Sequence, residues 1–577
     1  MTTAVTTVPR EVHLTKQNKK NMKKLMIILM AALPMLAMAQ STVNVKVDSV
    51  GKLATKIGEQ KFKISDLKVS GALNGTDLKL LQEIVTRTKT DKKNPDECLI
   101  TAIDLSGITI VESNDKGGFK TQANELPKGL FSGAKNLTKA VLPSSINAIS
   151  KDCFNDCSNL VDITIPDAVT VIDAGAFKDC ESLTAISLPT GLKTIGKEVF
   201  EGCKNLTNIQ LPNGIKDIAS QAFNKCKSLK NINIPEGTKK IGSSAFKGCE
   251  SLTTMTLPSS VDEIEASAFD GCINLETIQM ASVSKIGTSA FLGCKDLKEV
   301  VLDKLSSLGQ YAFQNCTSLE TVKMEGSLAD VNVSAFKGCS SLKSISLPSS
   351  LQEISNHAFA SCISLAEITL PETLAKIKDS AFQKCSSLKT IHLPSALKSL
   401  GDDAFEDCSS LDSITGSTLL DEIETNVFHN CGNLRKVELA NTIKRIGRNA
   451  FNGCSLLTDI DWPAALKTIE DGAFEKCASL QSVNFPNGLK SIGSDAFKDC
   501  IQLSSVDLPV TVKEIGSSAF QNCTALTTII INSGTPPSIS GSSFKGTNAA
   551  ILIPKGSRAI YSADKKWSKV KGVKENK

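Results

Sequence analysis

The chain has 577 residues, of which 41% are apolar and 22% charged, a composition typical of folded globular chains. Lys and Arg number 65 against 60 Asp and Glu, and only 5% of the residues are aromatic, with two Trp and two Tyr. This composition argues against recognition of bases or sugars by aromatic stacking. The length also excludes one ordinary compact core, unless the fold is elongated.

The first 39 residues have the features of an export signal. Four lysines between residues 19 and 24 precede the apolar stretch "LMIILMAALPML" at 25–36, and "AMA" at 37–39 is a small-x-small cleavage site. The apolar stretch is short for a membrane span. The sequence therefore predicts a signal peptide over residues 1–39, with Met22 as an alternative start. The protein is expected at the cell surface, secreted or in the periplasm, with no transmembrane segment in the mature chain.

Removal of residues 1–39 leaves 59 basic and 59 acidic side chains, so the mature chain has no net charge. A neutral chain has no general attraction for nucleic acid or for anionic membranes, and nucleic acid is excluded as the expected partner. The exception is residues 555–577, with eight basic and two acidic side chains. The sequence favours a solvated end segment there over a specific polyanion site.

A repeat of 22 or 23 residues runs from Phe131 to Phe520, and a last, worn copy ends at Phe544. In the unit "CSSLKSISLPSSLQEISNHAFASC" (339–362), Ile345 and Leu347 alternate with a polar residue, which predicts a strand, and Pro348 ends it. A second apolar pair predicts a short second strand. The spacing of Ala358, Cys362 and Leu365 is typical of one helical turn. One unit has too few inward residues for a core, so the units must stack as a solenoid.

The repeat L-x-x-I-x-L is the strand signature of leucine-rich repeats. The longer pattern C-x-x-L-x-x-I-x-L-P-x-x-L-x-x-I-G-x-x-A-F-x-x-C resembles the 23-residue BspA-like class of exported bacterial surface proteins. The resemblance implies an α/β fold, a curved leucine-rich-repeat solenoid, here of about 18 coils. It also implies adhesion to host matrix proteins or to other cells.

The flanking segments resemble the end caps of the same class. "LKVSGALNGTDLKLLQEI" (67–84) with "TAIDLSGITIVE" (101–112) is similar to its N-terminal cap, and "ILIPKGSRAIYSADKKW" (551–567) is similar to its C-terminal cap. The expected domains are therefore the signal peptide at 1–39, an N-terminal cap at 40–125, the repeat solenoid at 126–547, and a C-terminal cap with a basic tail at 548–577.

Seventeen of the 19 cysteines follow a repeat phenylalanine by three residues, as in Phe246 with Cys249 and Phe336 with Cys339. The three histidines of the mature chain lie in different coils, and no clustered metal ligands occur, so no catalytic residue, metal site or cofactor is predicted. Disulfides between coils are disfavoured, because stacked equivalent Cβ atoms would lie about 4.8 Å apart and a disulfide prefers roughly 3.8 Å. Reduced, buried thiols that act as small hydrophobes are favoured.

The two residues that flank each inward strand residue form the predicted ligand face, which the family resemblance places on the concave side. These positions are small, polar and weakly charged, and an ordinary soluble surface is the competing interpretation. Acidic residues concentrate in the C-terminal coils, where a weak cation or basic-partner site is the alternative to solvated charge. The candidate ligand residues are Asn208, Gln210, Asn231, Asn233, Glu299, Lys323, Glu367, His392, Lys436, Glu438, Asp459, Asp461 and Asp507.

Three consecutive units lack the turn proline, at Ala281, Asp303 and Glu325, and an altered turn is expected there. Trp462 falls at an inward strand position and is expected in the core. The expected function is a binding protein that is not an enzyme, an adhesin for an extracellular protein. A glycan-binding protein or a structural envelope scaffold is the alternative. The sequence does not indicate an oligomeric state.

Overall fold

The structure is a computed structural model that describes residues 42–87, 99–416 and 419–576. The predicted signal peptide and Cys98 lie outside the described residues. Most coils contribute one strand to a first row of parallel strands, here called row A, and most contribute a two-residue strand to a second row, row B. A turn segment around the repeat phenylalanine, the turn row, closes the third side.

Row A runs along the described chain as five separate sheets, with breaks in the ladder between them, and all its paired strands are parallel. The ladder passes Ala185 through a single bridge to Asn208, and Glu367 occupies the equivalent place in a coil without a strand. The strands of row A are Thr42–Val47, Asp66–Leu73, Ala102–Ile110, Lys139–Val141, Asp162–Thr164, Asn208–Ile209, Asn231–Ile232, Thr254–Thr256, Thr277–Gln279, Glu299–Leu302, Thr321–Met324, Ser344–Ser346, Thr390–His392, Ser413–Thr415, Lys436–Val437, Asp459–Ile460, Ser482–Asn484, Ser505–Leu508, Thr528–Ile531, Ala550–Ile553 and Val573–Glu575.

Row B is regular because the same position of each unit carries a β-branched or leucine side chain that points into the core. The strands of row B are Glu125–Leu126, Ala148–Ile149, Val171–Ile172, Thr194–Ile195, Asp217–Ile218, Lys240–Ile241, Glu263–Ile264, Lys285–Ile286, Ser307–Leu308, Asp330–Val331, Glu353–Ile354, Lys376–Ile377, Ser399–Leu400, Glu422–Ile423, Arg445–Ile446, Thr468–Ile469, Ser491–Ile492, Glu514–Ile515 and Ser538–Ile539.

The predicted number of about 18 coils was wrong, because the solenoid has about 23 turns. The repeat array accounts for eighteen of the turns in the described chain. The rest come from the flanking segments, where three long strands precede the array and two strands follow it in the same parallel row. The flanks therefore extend the parallel row beyond the repeat array.

The predicted helical turn in each coil was also wrong. In the described residues the helices are Leu53–Ile57, Gly75–Val85 and Arg558–Ala563, with 3-10 turns at Gly58–Phe62 and Trp567–Lys569, and all of them lie outside the repeat array. The turn row is instead a series of β-turns. In the coil of Phe246, the residues two before and two after, Ser244 and Gly248, have φ of 55° and 70°. Such left-handed residues are incompatible with an α-helix.

Hydrogen bonding in the turn row explains this geometry. The N–H of Phe246 donates to Ala268 O of the next coil at 2.8 Å, whereas the N–H of Cys249 donates to Phe246 O in its own coil at 3.0 Å. Successive amides therefore alternate between the neighbouring coil and the local turn. An α-helix would direct all of them within the coil, along i to i−4. The turn row therefore joins neighbouring coils by backbone hydrogen bonds, as a row of strands does.

The core is a continuous column of stacked side chains. Nineteen phenylalanines from Phe131 to Phe544 place their rings one above another, with centroids 5.0–6.1 Å apart. Phe336, with its ring centroid 5.4 Å from Phe313, has no exposed surface. Trp462, predicted in the core, is half-buried and packs against Phe474 and Phe485.

Two of the three units without a turn proline have longer strands, whereas the unit of Ala281 has the three-residue strand Thr277–Gln279. Glu299–Leu302 and Thr321–Met324 are four residues long and pair over their whole length. Proline lacks an N–H and ends a ladder, so its absence lets pairing continue into the turn. At the units of Asp303 and Glu325, the altered turn is therefore an extension of row A.

Candidate functional site

The candidate ligand residues flank the inward residues of row A. Ile209, between Asn208 and Gln210, is 1% exposed, whereas both of its neighbours are exposed. This alternation follows from the strand period of two, and the parallel register repeats it from coil to coil. For example, Asn208 pairs with Asn231, and Lys436 pairs with Asp459. The candidates therefore form two lanes along one face.

Several charged candidates pair with each other or with their neighbours. Lys323 Nζ lies 3.2 Å from Glu299 Oε1, and Lys436 Nζ lies 2.8 Å from Glu438 Oε1. His392 Nδ1 lies 3.1 Å from the hydroxyl of Thr415 in the next coil. These pairs are exposed and contribute little to stability, and in the two ion pairs opposite charges lie side by side on the face.

The amide candidates stack between coils. The Asn231 side chain donates to Asn208 Oδ1 at 3.3 Å. Asn233 is half-buried and binds the backbone of Leu211, accepting from its N–H at 2.8 Å and donating to its C=O at 2.9 Å. Asn233 therefore joins two coils, whereas the side chain of Gln210 is exposed on the face.

The acidic candidates of the C-terminal coils do not converge on a cation site. Asp507 accepts from the Asn532 amide at 2.6 Å, and Asp461 is exposed two rungs away. Among the described residues, no group of three or more Asp, Glu, His or Cys side chains is placed to hold a metal ion. Glu367 is also exposed, in the coil without a row A strand.

A second polar surface, not found from the sequence, lies on row B. The Arg445 guanidinium is bonded to Glu422 and Glu424, and its Nη1 lies 3.3 Å from Glu470 Oε1. An open groove beside it is lined by Arg448, Asp471, Ser494 and Glu514, among others. Two of its carboxylates are engaged within the protein, since Asp471 accepts from the Ser494 N–H at 2.7 Å and Glu470 from the Arg448 N–H at 3.1 Å. The only sequence signal of this surface was the strict period of the second strand of each coil, which places equivalent residues in one row.

The cysteine column is internal. All eighteen cysteines in the described chain are free and buried. Each repeat thiol donates to the carbonyl of the phenylalanine 25 or 26 residues earlier, as Cys249 Sγ does to Phe223 O and Cys339 Sγ to Phe313 O, both at 3.2 Å. Burial raises the pKa of Cys339 to about 12, so this thiol is protonated at neutral pH and is a poor nucleophile.

The repeat cysteines were predicted to act as small hydrophobes, and the bond from thiol to carbonyl is a second contribution. The contribution of this bond to stability can be tested at Cys249. We expect Cys249→Ala to lower the free energy of unfolding by about 1–2 kcal/mol, because both sulfur packing and the bond to Phe223 O are lost. Cys249→Ser retains a donor and is expected to cost no more than Cys249→Ala. Urea unfolding of both variants tests this. A serine variant clearly less stable than the alanine variant would contradict a role for the hydrogen bond.

The parallel strand rows, the leucine and isoleucine core and the stacked coils define a leucine-rich-repeat solenoid. The sequence matches the family described as "BspA type leucine rich repeat region (6 copies)" over residues 124–249, 216–343, 329–458 and 446–562. The chain belongs to this family. Leucine-rich-repeat proteins are generally non-enzymatic binding scaffolds.

Solved structures similar to this chain include two at 24% identity. One is a leucine-rich repeat protein from Bacteroides ovatus, with a TM-score of 0.43, covering 72% of this chain and 92% of that one. The other is a leucine-rich cell surface protein from Faecalibacterium prausnitzii, with a TM-score of 0.33, covering 62% and 90%. The leucine-rich repeat protein TpLRR of T. pallidum is 34% identical over 28% of this chain and 72% of its own, with a TM-score of 0.25. No curated protein matches the chain.

Proposed function

We propose that the protein is an exported adhesin that engages an extracellular protein through the exposed face of row A. The observation that carries the proposal is the regularity of this face, since polar side chains flank an inward apolar residue in most coils of the array. About 23 turns at a strand spacing of about 4.8 Å give a face on the order of 100 Å long. A face of that length suits an extended macromolecular ligand better than a small substrate.

A glycan ligand or a structural envelope role is the second candidate. The small hydroxyl and amide side chains of the face could hydrogen-bond to sugar hydroxyl groups, which favours a glycan. Sugar binding by stacking needs exposed rings, however. Both tryptophans of the chain pack against other aromatic rings, and the exposed Tyr311 lies in the turn row and not on row A. The packing of these rings makes a protein ligand the better-supported proposal.

Export and the end caps belong to the same proposal. The predicted signal peptide over residues 1–39 supports export, and the family match supports a location on the surface or outside the cell. No helix in the described part of the chain is long and apolar enough to span a bilayer. Residues 40–125 and 548–577 are proposed as the two end caps of the solenoid.

The proposal is tested by binding to an array of extracellular-matrix proteins and to an array of polysaccharides. Three exposed row A residues in distant coils are changed together, Gln210→Arg, Glu367→Arg and Asp461→Arg. We expect this variant to lose more than about tenfold in affinity for the captured protein, because arginine blocks the face and reverses its charge.

The matched control places the same charge changes on exposed residues of row B, as Thr194→Arg, Asp217→Arg and Glu514→Arg. The control is expected to bind like the wild-type protein. Equal losses in both variants, or none in the row A variant, would contradict the proposed face. Binding to polysaccharides alone would favour the second candidate.

A further inference from the structure

The last part of the chain carries a concentration of unpaired basic side chains. Residues 548–576, here called the C-terminal segment, contain seven basic and two acidic residues. Its exposed lysines have no carboxylate within ion-pair distance among the described residues. These lysines are Lys555, Lys565, Lys566, Lys569, Lys571 and Lys574. In the repeat array, by contrast, a number of exposed lysines pair with a carboxylate of the preceding coil, as Lys204 does with Glu181 at 2.7 Å and Lys343 with Glu320 at 2.7 Å.

The two acidic residues of the C-terminal segment bind backbone amides. Asp564 accepts from the N–H of Lys566 at 2.8 Å and of Trp567 at 3.0 Å, and these bonds hold its pKa below the usual value. Glu575 accepts from the N–H of Gly556 and of Arg558, both at 3.0 Å. The carboxylates therefore fix the local fold and leave the lysine side chains without internal partners.

The charge is distributed unevenly along the solenoid. The repeat array, residues 126–547, has 38 basic and 45 acidic side chains. Its whole acidic excess lies in residues 402–499, which hold nine basic and sixteen acidic side chains. A basic end thus follows an acidic body, in a mature chain whose net charge is zero. A negatively charged surface would therefore attract the C-terminal segment and repel the acidic repeat array.

We propose that the C-terminal segment docks on an anionic lipid surface and holds the solenoid upright on it. The basic side chains occupy the terminal coil of the solenoid, which suits contact with a surface more than with a polymer lying along the face. Ile560, on the short helix between Arg558 and the lysines, is 51% exposed and supplies an apolar side chain for the lipid interface. This contact is independent of the ligand face on row A.

The test is cosedimentation of the mature chain with vesicles of phosphatidylcholine alone and with 30% phosphatidylglycerol, at low and at high salt. We expect binding only to the anionic vesicles, with release as salt rises, because screening weakens each lysine contact. The triple variant Lys565→Gln, Lys566→Gln and Lys569→Gln is expected to bind about 100-fold more weakly, since each lysine contributes about fivefold.

The matched control removes three exposed lysines of the array, as Lys389→Gln, Lys467→Gln and Lys490→Gln, for the same loss of charge. It is expected to bind the vesicles nearly as the wild-type protein does, with a loss far smaller than that of the C-terminal variant, because these lysines lie away from the docking end. Equal binding to neutral vesicles, equal losses in the two triple variants, or binding to soluble dextran sulfate without vesicle binding would overturn the proposal.

On a supported anionic bilayer, neutron reflectometry should give a layer on the order of 100 Å thick. A layer a few tens of ångströms thick would overturn the upright orientation. Neither measurement requires the ligand of row A, so the docking proposal can fail without affecting the proposed function.

Discussion

Replacing Phe336 with alanine is expected to destabilise the middle of the solenoid by about 3–5 kcal/mol. Its ring lies between those of Phe313 and Phe359, at centroid distances of 5.4 and 5.5 Å, and is completely buried. Removing it leaves a cavity that the neighbouring coils cannot fill, because their backbones are held in register by the turn row. Each coil touches only its neighbours, so the loss should be greatest in the adjacent coils.

Hydrogen exchange read by mass spectrometry measures this effect coil by coil, together with the midpoint of urea unfolding. Phe336→Leu is the matched control, because it keeps most of the apolar volume and is expected to cost clearly less than alanine. Uniform faster exchange along the whole chain would contradict nearest-neighbour stability. An unchanged unfolding midpoint in the alanine variant would show that the ring column contributes little.

The sequence predicted the family and the strands well because the period is a direct consequence of stacking. A residue such as Phe336 must recur at one place in each coil if its ring is to meet the next ring, so an unbroken period indicates a column. The two strands of each coil followed from their alternation and from the proline that ends the first strand. These signals are local and do not depend on distant parts of the chain.

The prediction of a helical turn was wrong because the spacing of buried residues does not define the backbone conformation between them. Ala358, Cys362 and Leu365 are all buried, as a helix would make them, yet His357 and Ser361 have φ of 57° and 63°. A sequence signal was present. Gly, Asn and Asp recur two residues after the repeat phenylalanine, as Gly248, Asn315 and Asp407 do, and these types tolerate left-handed backbone.

The predicted number of coils was wrong for a different reason. The flanking strands, such as Asp66–Leu73 and Val573–Glu575, do not carry the repeat motif but pair in parallel with the same row. Periodicity cannot count turns whose sequence has diverged. For the candidate site, the sequence indicated which residues face outward. It could not indicate that Asn233 would bind the backbone of the coil before it, because the side-chain geometry between coils decides that contact.

The C-terminal end of the phenylalanine column is covered by Trp567. Its ring lies 5.9 Å from Phe544 and 5.0 Å from Tyr561, it is 3% exposed, and its Nε1–H donates to Pro537 O at 2.7 Å. A solenoid that ends without such a cover exposes its last coil to water. Trp567 therefore combines a large buried apolar area with a hydrogen bond that fixes its position.

We expect Trp567→Ala to destabilise the last coils by about 3–5 kcal/mol, because the end of the ring column becomes exposed and Pro537 O loses its donor. Trp567→Phe keeps a ring over Phe544 and is expected to cost less, with most of its loss due to the missing hydrogen bond. Limited proteolysis and hydrogen exchange of the C-terminal coils measure both variants. Because solenoid coils are coupled only to their neighbours, coils before about residue 480 should keep wild-type protection. Loss of protection in those coils as well would mean that the whole array unfolds as one unit and depends on this single tryptophan for its integrity.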